Sequence, residues 1–397
     1  VRARLEDALL VLGSATPALE SYANAQSGKV ELLELPSRVG DRPLPGVEVV
    51  DMRGRRPEER ILSLPVREAL AETLARGEQA LLLQNRRGFS SFLQCRDCGA
   101  TLGCPNCRIT LTLHRPRGTR AAADLRCHYC DYREGVPEGC GACGGVDVGG
   151  QGHGTQQVEE LVRELLPQAR VARMDHDTTG RRGAHARLVE SMERGDIDIL
   201  VGTQMVAKGH DFPGLSLVVV VSADTGLNVP DFRSAERTFQ LLAQVAGRSG
   251  RGQRPGRVLV QSRLPEHAAI RAAAAHDYRT FYRTEVAGRF EAGYPPAVKL
   301  AACVVSGEEE RRVAEAAGAL ARDVDAFVRE HGFGDRLTSV GPSEAPLAQL
   351  RGRFRWHLLL KSTRPALLEA ALQRLATRWK APRGTQLTLD RDPASLL

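Results

Sequence analysis

Four CxxC pairs crowd the stretch from Cys95 to Cys143: Cys95/Cys98, Cys104/Cys107, Cys127/Cys130 and Cys140/Cys143, eight of the nine cysteines in a chain of 397 residues. Two thiolates two residues apart chelate one ion from a single tight turn, and two such turns complete the four-thiolate shell of structural zinc. Eight ligands predict two zinc ions. Glycines behind the knuckles, Gly99, Gly141 and Gly144, let the backbone fold back around the metal without a Cβ clash. A disulfide framework fits poorly in a long chain without a secretory signal. Iron–sulfur ligation spaces its cysteines differently, and four pairs together outweigh a redox role for any one of them. Spacing leaves the partition open: the inner pairs can share one ion and the outer pairs the other, or the pairs can join sequentially. So short a segment builds little apolar core, and metal is expected to replace it. Cys303, alone in an apolar run, is expected in a core.

The cysteines interrupt a strand–helix alternation. Before them, Val47 to Met52 reads as a strand, Pro65 to Arg76 as an amphipathic helix and Ala80 to Gln84 as a buried strand. After them come helices over Gln156–Leu166, Arg187–Arg194 and Ala235–Ala246. Strands over Ala169–Met174, Ile197–Val201, Leu215–Val221 and Gly256–Gln261 alternate with these. Such β-branched runs suit a parallel sheet buried on both faces. The zinc segment is therefore an insertion into one doubly wound domain. Upstream, Leu9 to Leu12 reads as a strand leading through Gly13-Ser14-Ala15-Thr16-Pro17 into a helix over Ala18–Gln26, and Pro36 to Gly46 as a linker. From about Pro265 the pattern changes: a helical stretch over Glu266–Ala292 precedes strands and helices in the order βαββαβ, the split-βαβ arrangement. Expected boundaries are 1–45, 46–265 interrupted by 94–146, and 266–397.

A net charge of +7 favours a polyanionic partner, although arginine also serves merely to solvate a surface. The longest apolar run, Leu215 to Val221, is strand-sized rather than membrane-spanning. Reduced thiols without a targeting segment point to the cytoplasm. The chain opens with Val1, inside what reads as a helix running into a strand, which suggests a fragment.

Two stretches stand out for chemistry. Val201 to Phe212 follows a buried strand, and Gln244-Val245-Ala246-Gly247-Arg248-Ser249-Gly250-Arg251 ends a helix, with paired arginines suited to a triphosphate. Gly13 to Thr16 resembles motif III of superfamily 2 helicases, GTQMVAKGHDF resembles motif V and QVAGRSGR resembles motif VI. With eight cysteines interrupting the lobe, the chain resembles the PriA family of primosomal replication-restart proteins. GSATPALES, LLLQNRRGF, GTQMVAKGHDFPGL, DFRSAERTFQLLAQVAGRSGR, YPP and RGRFRW carry the likeness along essentially the whole chain.

The resemblance implies an α/β, RecA-like second helicase lobe with a two-zinc insertion and a small βαββαβ domain behind it. It implies nested ligation, with Cys95, Cys98, Cys140 and Cys143 on one zinc and Cys104, Cys107, Cys127 and Cys130 on the other. Gln244, Arg248 and Arg251 would face nucleotide, and Thr203, Gln204 and Lys208 would couple that cleft to DNA. Arg353 falls in the segment matching a pocket for the acidic tail of single-stranded-DNA-binding protein, where a forked donor suits a terminal carboxylate. The implied partners are forked DNA, that protein, primosome components and the replicative helicase.

Departures qualify the resemblance. The chain contains no GxxxxGK[ST] phosphate loop and no DExH acidic box, so it is expected not to hydrolyse ATP alone; ATP and Mg²⁺ would enter only with a first lobe. The long gap between Cys107 and Cys127 carries Arg115, Arg117, Arg120 and Arg126, suited either to phosphates or to solvent. His357 stands where the resemblance implies an amide in the tail pocket.

Overall fold

The computed structural model describes residues 2–35, 44–84, 92–114, 123–150, 154–179, 183–203, 212–247 and 256–396. Six parallel strands form the main sheet: β1 (Gly46–Asp51), β2 (Gln79–Leu83), β3 (Val171–Met174), β4 (Ile199–Gly202), β5 (Leu215–Val220) and β6 (Arg257–Ser262). Their spatial order is β1-β6-β5-β2-β4-β3. Consecutive side chains point to opposite faces, so these apolar runs feed two cores at once. Leu81, Leu83, Leu200, Val218, Val220 and Val260 pack on one face against Phe239, Leu242 and Val245 of the Ser234–Ala246 helix and Phe281 of the Tyr278–Glu291 helix. Leu82, Val201, Leu217, Val219 and Leu259 face the other way, against Val66 and Leu70 of the Leu64–Ala75 helix and Val158 and Val162 of the Thr155–Leu165 helix. Each such side chain contributes about 1.5–3 kcal/mol by burial.

Between β2 and β3 the chain leaves the sheet. Leu93–Cys95 pairs with Val148–Gly150, and within that ribbon Thr112–His114, Asp124–Arg126 and Arg133–Gly135 form a small three-stranded sheet. Beyond β6, four antiparallel strands follow: β7 (Lys299–Gly307), β8 (Leu337–Leu350), β9 (Arg353–Ser362) and β10 (Thr385–Arg391), in the order β8-β9-β7-β10. The helices Glu310–Glu330 and Pro365–Arg378 cover one face through Val313, Leu320, Val324, Leu368 and Leu375, which meet Cys303, Val305, Leu358 and Leu360. The alternate residues Leu300, Ala302 and Leu359 turn to the other face and meet the cysteine insertion. The βαββαβ order and the buried Cys303 agree with the sequence expectation.

Two expectations fail. Leu9 to Leu12 forms no strand: its side chains are 65–91% exposed, and among the described residues no strand pairs with it. An extended run needs a neighbour to satisfy its backbone, and the described residues supply none. The helical stretch over Glu266–Ala292 is two helices, Ala268–Ala274 and Tyr278–Glu291. His276 adopts φ 55 between them, and the Asp277 carboxylate accepts from the Thr280 N–H, starting a new helix. The linker expected over Pro36–Gly46 lies largely outside the described residues.

Candidate metal centre and motor face

All four CxxC turns close alike. The N–H of Gly99, Arg108, Asp131 and Gly144 donates back to the carbonyl of Cys95, Cys104, Cys127 and Cys140 respectively, at 2.8–3.0 Å. The first cysteine of each pair donates onward to the carbonyl of Ala100, Ile109, Tyr132 or Gly145. Each turn requires a left-handed residue just after its second cysteine. Gly99 (φ 82) and Gly144 (φ 75) supply it in the outer pairs, Arg108 (φ 53) and Asp131 (φ 59) in the inner. Gly99 has a second reason to be glycine: a Cβ there would lie 2.0 Å from the Arg263 carbonyl oxygen at the end of β6. Of the glycines singled out by sequence, Gly141 has neither a positive φ nor a close neighbour.

The turns meet in nested fashion. Cys95, Cys98, Cys140 and Cys143 form one cluster, and Cys104, Cys107, Cys127 and Cys130 the other, each with its sulfurs within 4.8 Å of one another. Neighbouring Sγ atoms lie 3.7 Å apart for Cys95–Cys143, 3.6 Å for Cys98–Cys140 and 3.6 Å for Cys104–Cys130. A tetrahedral zinc with bonds of about 2.3 Å has ligand–ligand edges of about 3.8 Å, so both clusters fit that ion. Chemistry agrees with geometry. The Cys107 thiol donates to Cys127 and holds it down to about 5, whereas burial pushes Cys104 up to about 12. Four crowded thiols cannot ionise together, and a divalent cation removes that conflict.

The inner cluster is set into its surroundings. Tyr129, within the Cys127–Cys130 turn, is fully buried, and its hydroxyl accepts from the Phe232 N–H at 3.2 Å. Phe232 stacks on Tyr294 with ring centroids 4.7 Å apart, and the Tyr294 hydroxyl donates to the Cys107 carbonyl at 3.0 Å. The His128 carbonyl accepts from both Ser343 Oγ and His357 Nε2. His128 Nδ1 donates to the Glu344 carbonyl at 2.9 Å, so its neutral Nε2 accepts from His114 Nε2 at 3.3 Å. Burial lowers His357 to about 4. His357, 2% exposed and committed to His128, is therefore a packing residue and not part of an open pocket.

The Asp231–Arg233 turn beside Tyr129 is a second hub that sequence reasoning missed. Asp231 is buried; its carboxylate pairs with Arg237 at 3.0 Å and accepts the Leu396 N–H at 3.3 Å, bringing the end of the C-terminal unit onto this turn. The aromatic residue inside the CHYC knuckle was the available signal, since an aromatic side chain between two metal ligands must pack on something beyond them.

The helicase-like residues are only partly on view. Thr203 follows β4, with its N–H donating to the Met174 carbonyl at 3.3 Å, and Gln244 is half-buried on the Ser234–Ala246 helix. Gln204, Lys208, Arg248 and Arg251 lie outside the described residues, as do Arg115, Arg117 and Arg120. Arg126 is engaged by Asp124 at 2.7 Å. Arg353 opens β9, half-buried, donating to the Ser306 carbonyl at 3.1 Å.

Three family models match the chain: the PriA DNA helicase Cys-rich region domain over residues 104–134, the helicase conserved C-terminal domain over 153–253, and the primosomal protein N C-terminal domain over 290–394. Replication restart protein PriA of Bacillus subtilis (strain 168) is 45% identical over 401 residues, covering 100% of this chain and 49% of the relative. The protein of that name from Synechocystis is 40% identical over 401 residues, covering 100% and 47%. That from Haemophilus influenzae is 36% identical over 388 residues, covering 98% and 52%. The chain spans about half the length of the curated relatives it matches.

Proposed function

The chain belongs to the PriA family of replication restart proteins, and from that premise we propose that it acts at stalled or collapsed replication forks, binding branched DNA and single-stranded-DNA-binding protein and promoting reloading of the replicative helicase. The partition of labour follows the expected boundaries. Residues 46–265 form the second motor lobe, 94–146 the zinc-binding insertion and 266–397 the C-terminal domain, with 1–45 a remnant of the first lobe and a linker. The observation that carries this reading is the inner cysteine cluster itself, wedged between a parallel α/β lobe and a βαββαβ unit.

Two zinc ions complete the two clusters. Bound zinc supplies positive charge that lets all four thiolates of a cluster ionise and cross-links turns that have little core of their own. The chain's own contribution is positional. Tyr129, His128 and Cys107 fix the insertion against β8, β9 and the Asp231–Arg233 turn, so that the outer cluster projects from a rigid base. The partly exposed Arg353 receives the acidic tail of the single-stranded-DNA-binding protein. Gln244, Arg248 and Arg251 face nucleotide, with Thr203, Gln204 and Lys208 passing its state to DNA. No helix among the described residues is long and apolar enough to cross a membrane. The proposed place of action is the cytoplasm, at forks on the nucleoid.

Without a phosphate loop or DExH box, this chain by itself does not turn over ATP. Retention of GTQMVAKGHDF and QVAGRSGR favours a second reading, an ATP-driven 3′-to-5′ helicase whose nucleotide lobe is encoded upstream. ATP hydrolysis by the full-length gene product, with fork binding checked on the same sample, separates the two. DNA-stimulated turnover supports the motor, and fork binding without turnover supports the scaffold. Absence of fork binding overturns both.

A further inference from the structure

Four thiolates around one divalent ion leave two negative charges uncancelled. At the outer cluster water reaches the exposed Cys143 and screens them. At the inner cluster Cys104, Cys107 and Cys127 are buried, and an uncompensated charge there is strongly unfavourable. The strand that faces this cluster carries a cation without an anion. Leu359 and Lys361 are alternate residues of β9 and so share the face turned to the cysteine insertion. The half-buried Lys361 places its Nζ 3.7 Å from the centroid of the Tyr294 ring and donates to the Ala292 carbonyl at 3.3 Å. Ala292 ends the Tyr278–Glu291 helix, so this bond also caps that helix. Both partners are neutral: they orient the ammonium without cancelling its charge, and among the described residues no carboxylate pairs with it. Tyr294 in turn belongs to the inner cluster, where its hydroxyl donates to the Cys107 carbonyl at 3.0 Å. Burial lowers the pKa of Lys361, and the charged group that offsets the burial is Cys107.

We propose that Lys361 is the counter-cation of the inner zinc centre: its ammonium, held by the Tyr294 ring and the Ala292 carbonyl, balances part of the charge of the loaded thiolate cluster and ties zinc retention to docking of the C-terminal sheet. The inference rests on the zinc reading of the clusters. It requires a positive charge at this position of β9, whereas a lysine placed only to cap the helix would be indifferent to the metal.

The test is zinc affinity, read by chelator competition on the full-length protein carrying Cys140→Ser, a background expected to hold zinc at the inner cluster alone. Lys361→Met keeps the apolar stem and removes the charge, and is expected to weaken zinc binding about tenfold. Lys361→Arg keeps the charge and the ring contact, and is expected to stay within about twofold of the parent. With all eight cysteines in place, only one of the two zinc ions is expected to respond. Affinity unchanged by Lys361→Met overturns the proposal and leaves Lys361 a helix cap. Equal weakening by both substitutions makes shape the cause and overturns it too, as does weakening at both ions together with a lower Tm, which reports a damaged fold. If the unsubstituted protein binds no zinc, the zinc reading fails and the proposal with it, an outcome distinct from zinc bound with an affinity that Lys361 does not alter.

Discussion

At the outer cysteine cluster Cys143 is exposed and glycines hold both left-handed turn positions, whereas at the inner cluster Cys104, Cys107 and Cys127 are buried and Arg108 and Asp131 hold them. The turns are the same, so the difference lies in what surrounds them. Leu111, Leu125, Tyr129 and Tyr294 pack around the inner cysteines, together with Leu300 and Leu359 of the C-terminal sheet. Placing Arg108 in a left-handed conformation costs roughly 1 kcal/mol or more, but its side chain then reaches Glu291 at 2.7 Å, which glycine could not do. Beside the outer cluster the links to the lobe are polar: the Gly54 N–H donates to the Arg96 carbonyl at 3.0 Å, and Asp147 is shared by Arg60 and Arg96. One cluster is thus a keystone between units, and the other keeps one cysteine, Cys143, at the surface.

The hardest test of that contrast is to break one cluster at a time. Cys127→Ser is expected to destabilise the main unfolding transition by more than about 4 kcal/mol, because the insertion loses its cross-link and the C-terminal sheet loses what covers its inner face. Cys140→Ser is expected to release one equivalent of zinc and leave that transition in place. Calorimetry alongside metal content reads both, and equal shifts would erase the distinction.

A smaller effect is expected from pH. Burial holds His357 at about 4, below the ordinary histidine value near 6.5, so the folded state prefers the neutral ring. Its contribution is fully present above pH ~6.5 and is lost as pH falls toward 4, reaching roughly 3 kcal/mol. Because acid also protonates thiolates, the measurement is the difference between the parent and His357→Gln, which keeps a donor for His128 and does not titrate. If the two proteins lose stability in parallel from pH 7 to 4, His357 has no part in the junction's pH response.

Smallest is the single hydroxyl. Tyr129→Phe leaves the buried Phe232 N–H without its partner and is expected to cost roughly 1–3 kcal/mol in denaturant unfolding. Tyr132→Phe, two residues beyond the same knuckle, loses a contact to Glu134 at the surface and is expected to change nothing measurable. A Tyr129→Phe protein as stable as its parent would mean that this hydroxyl adds nothing to the keystone.

The parallel sheet and the βαββαβ unit were legible because their strands are apolar on both faces or alternate cleanly, and the helices between them carry a matching stripe. Leu9 to Leu12 misled because periodicity reports what a run prefers and not whether a neighbour is there to pair with it. The break at His276 was invisible for a related reason: one left-handed residue and one capping aspartate outweigh an otherwise helical pattern. The eight clustered cysteines were legible, their grouping only through the resemblance, yet Tyr129, Asp231, Phe232 and Tyr294 were not, since each acquires its role from a residue far along the chain.

By itself the sequence determined the number and spacing of the thiols, and with them four identical chelating turns, because a CxxC turn closes through backbone bonds within six residues. It also determined which strands would be buried on both faces. Only the tertiary structure decided which turns share a cluster, which cluster is covered, and that His357 points into packing and not toward solvent. Those outcomes depend on surfaces brought together from β7 to β9 and the Asp231–Arg233 turn, and burial is a property of the assembled neighbours rather than of any residue alone.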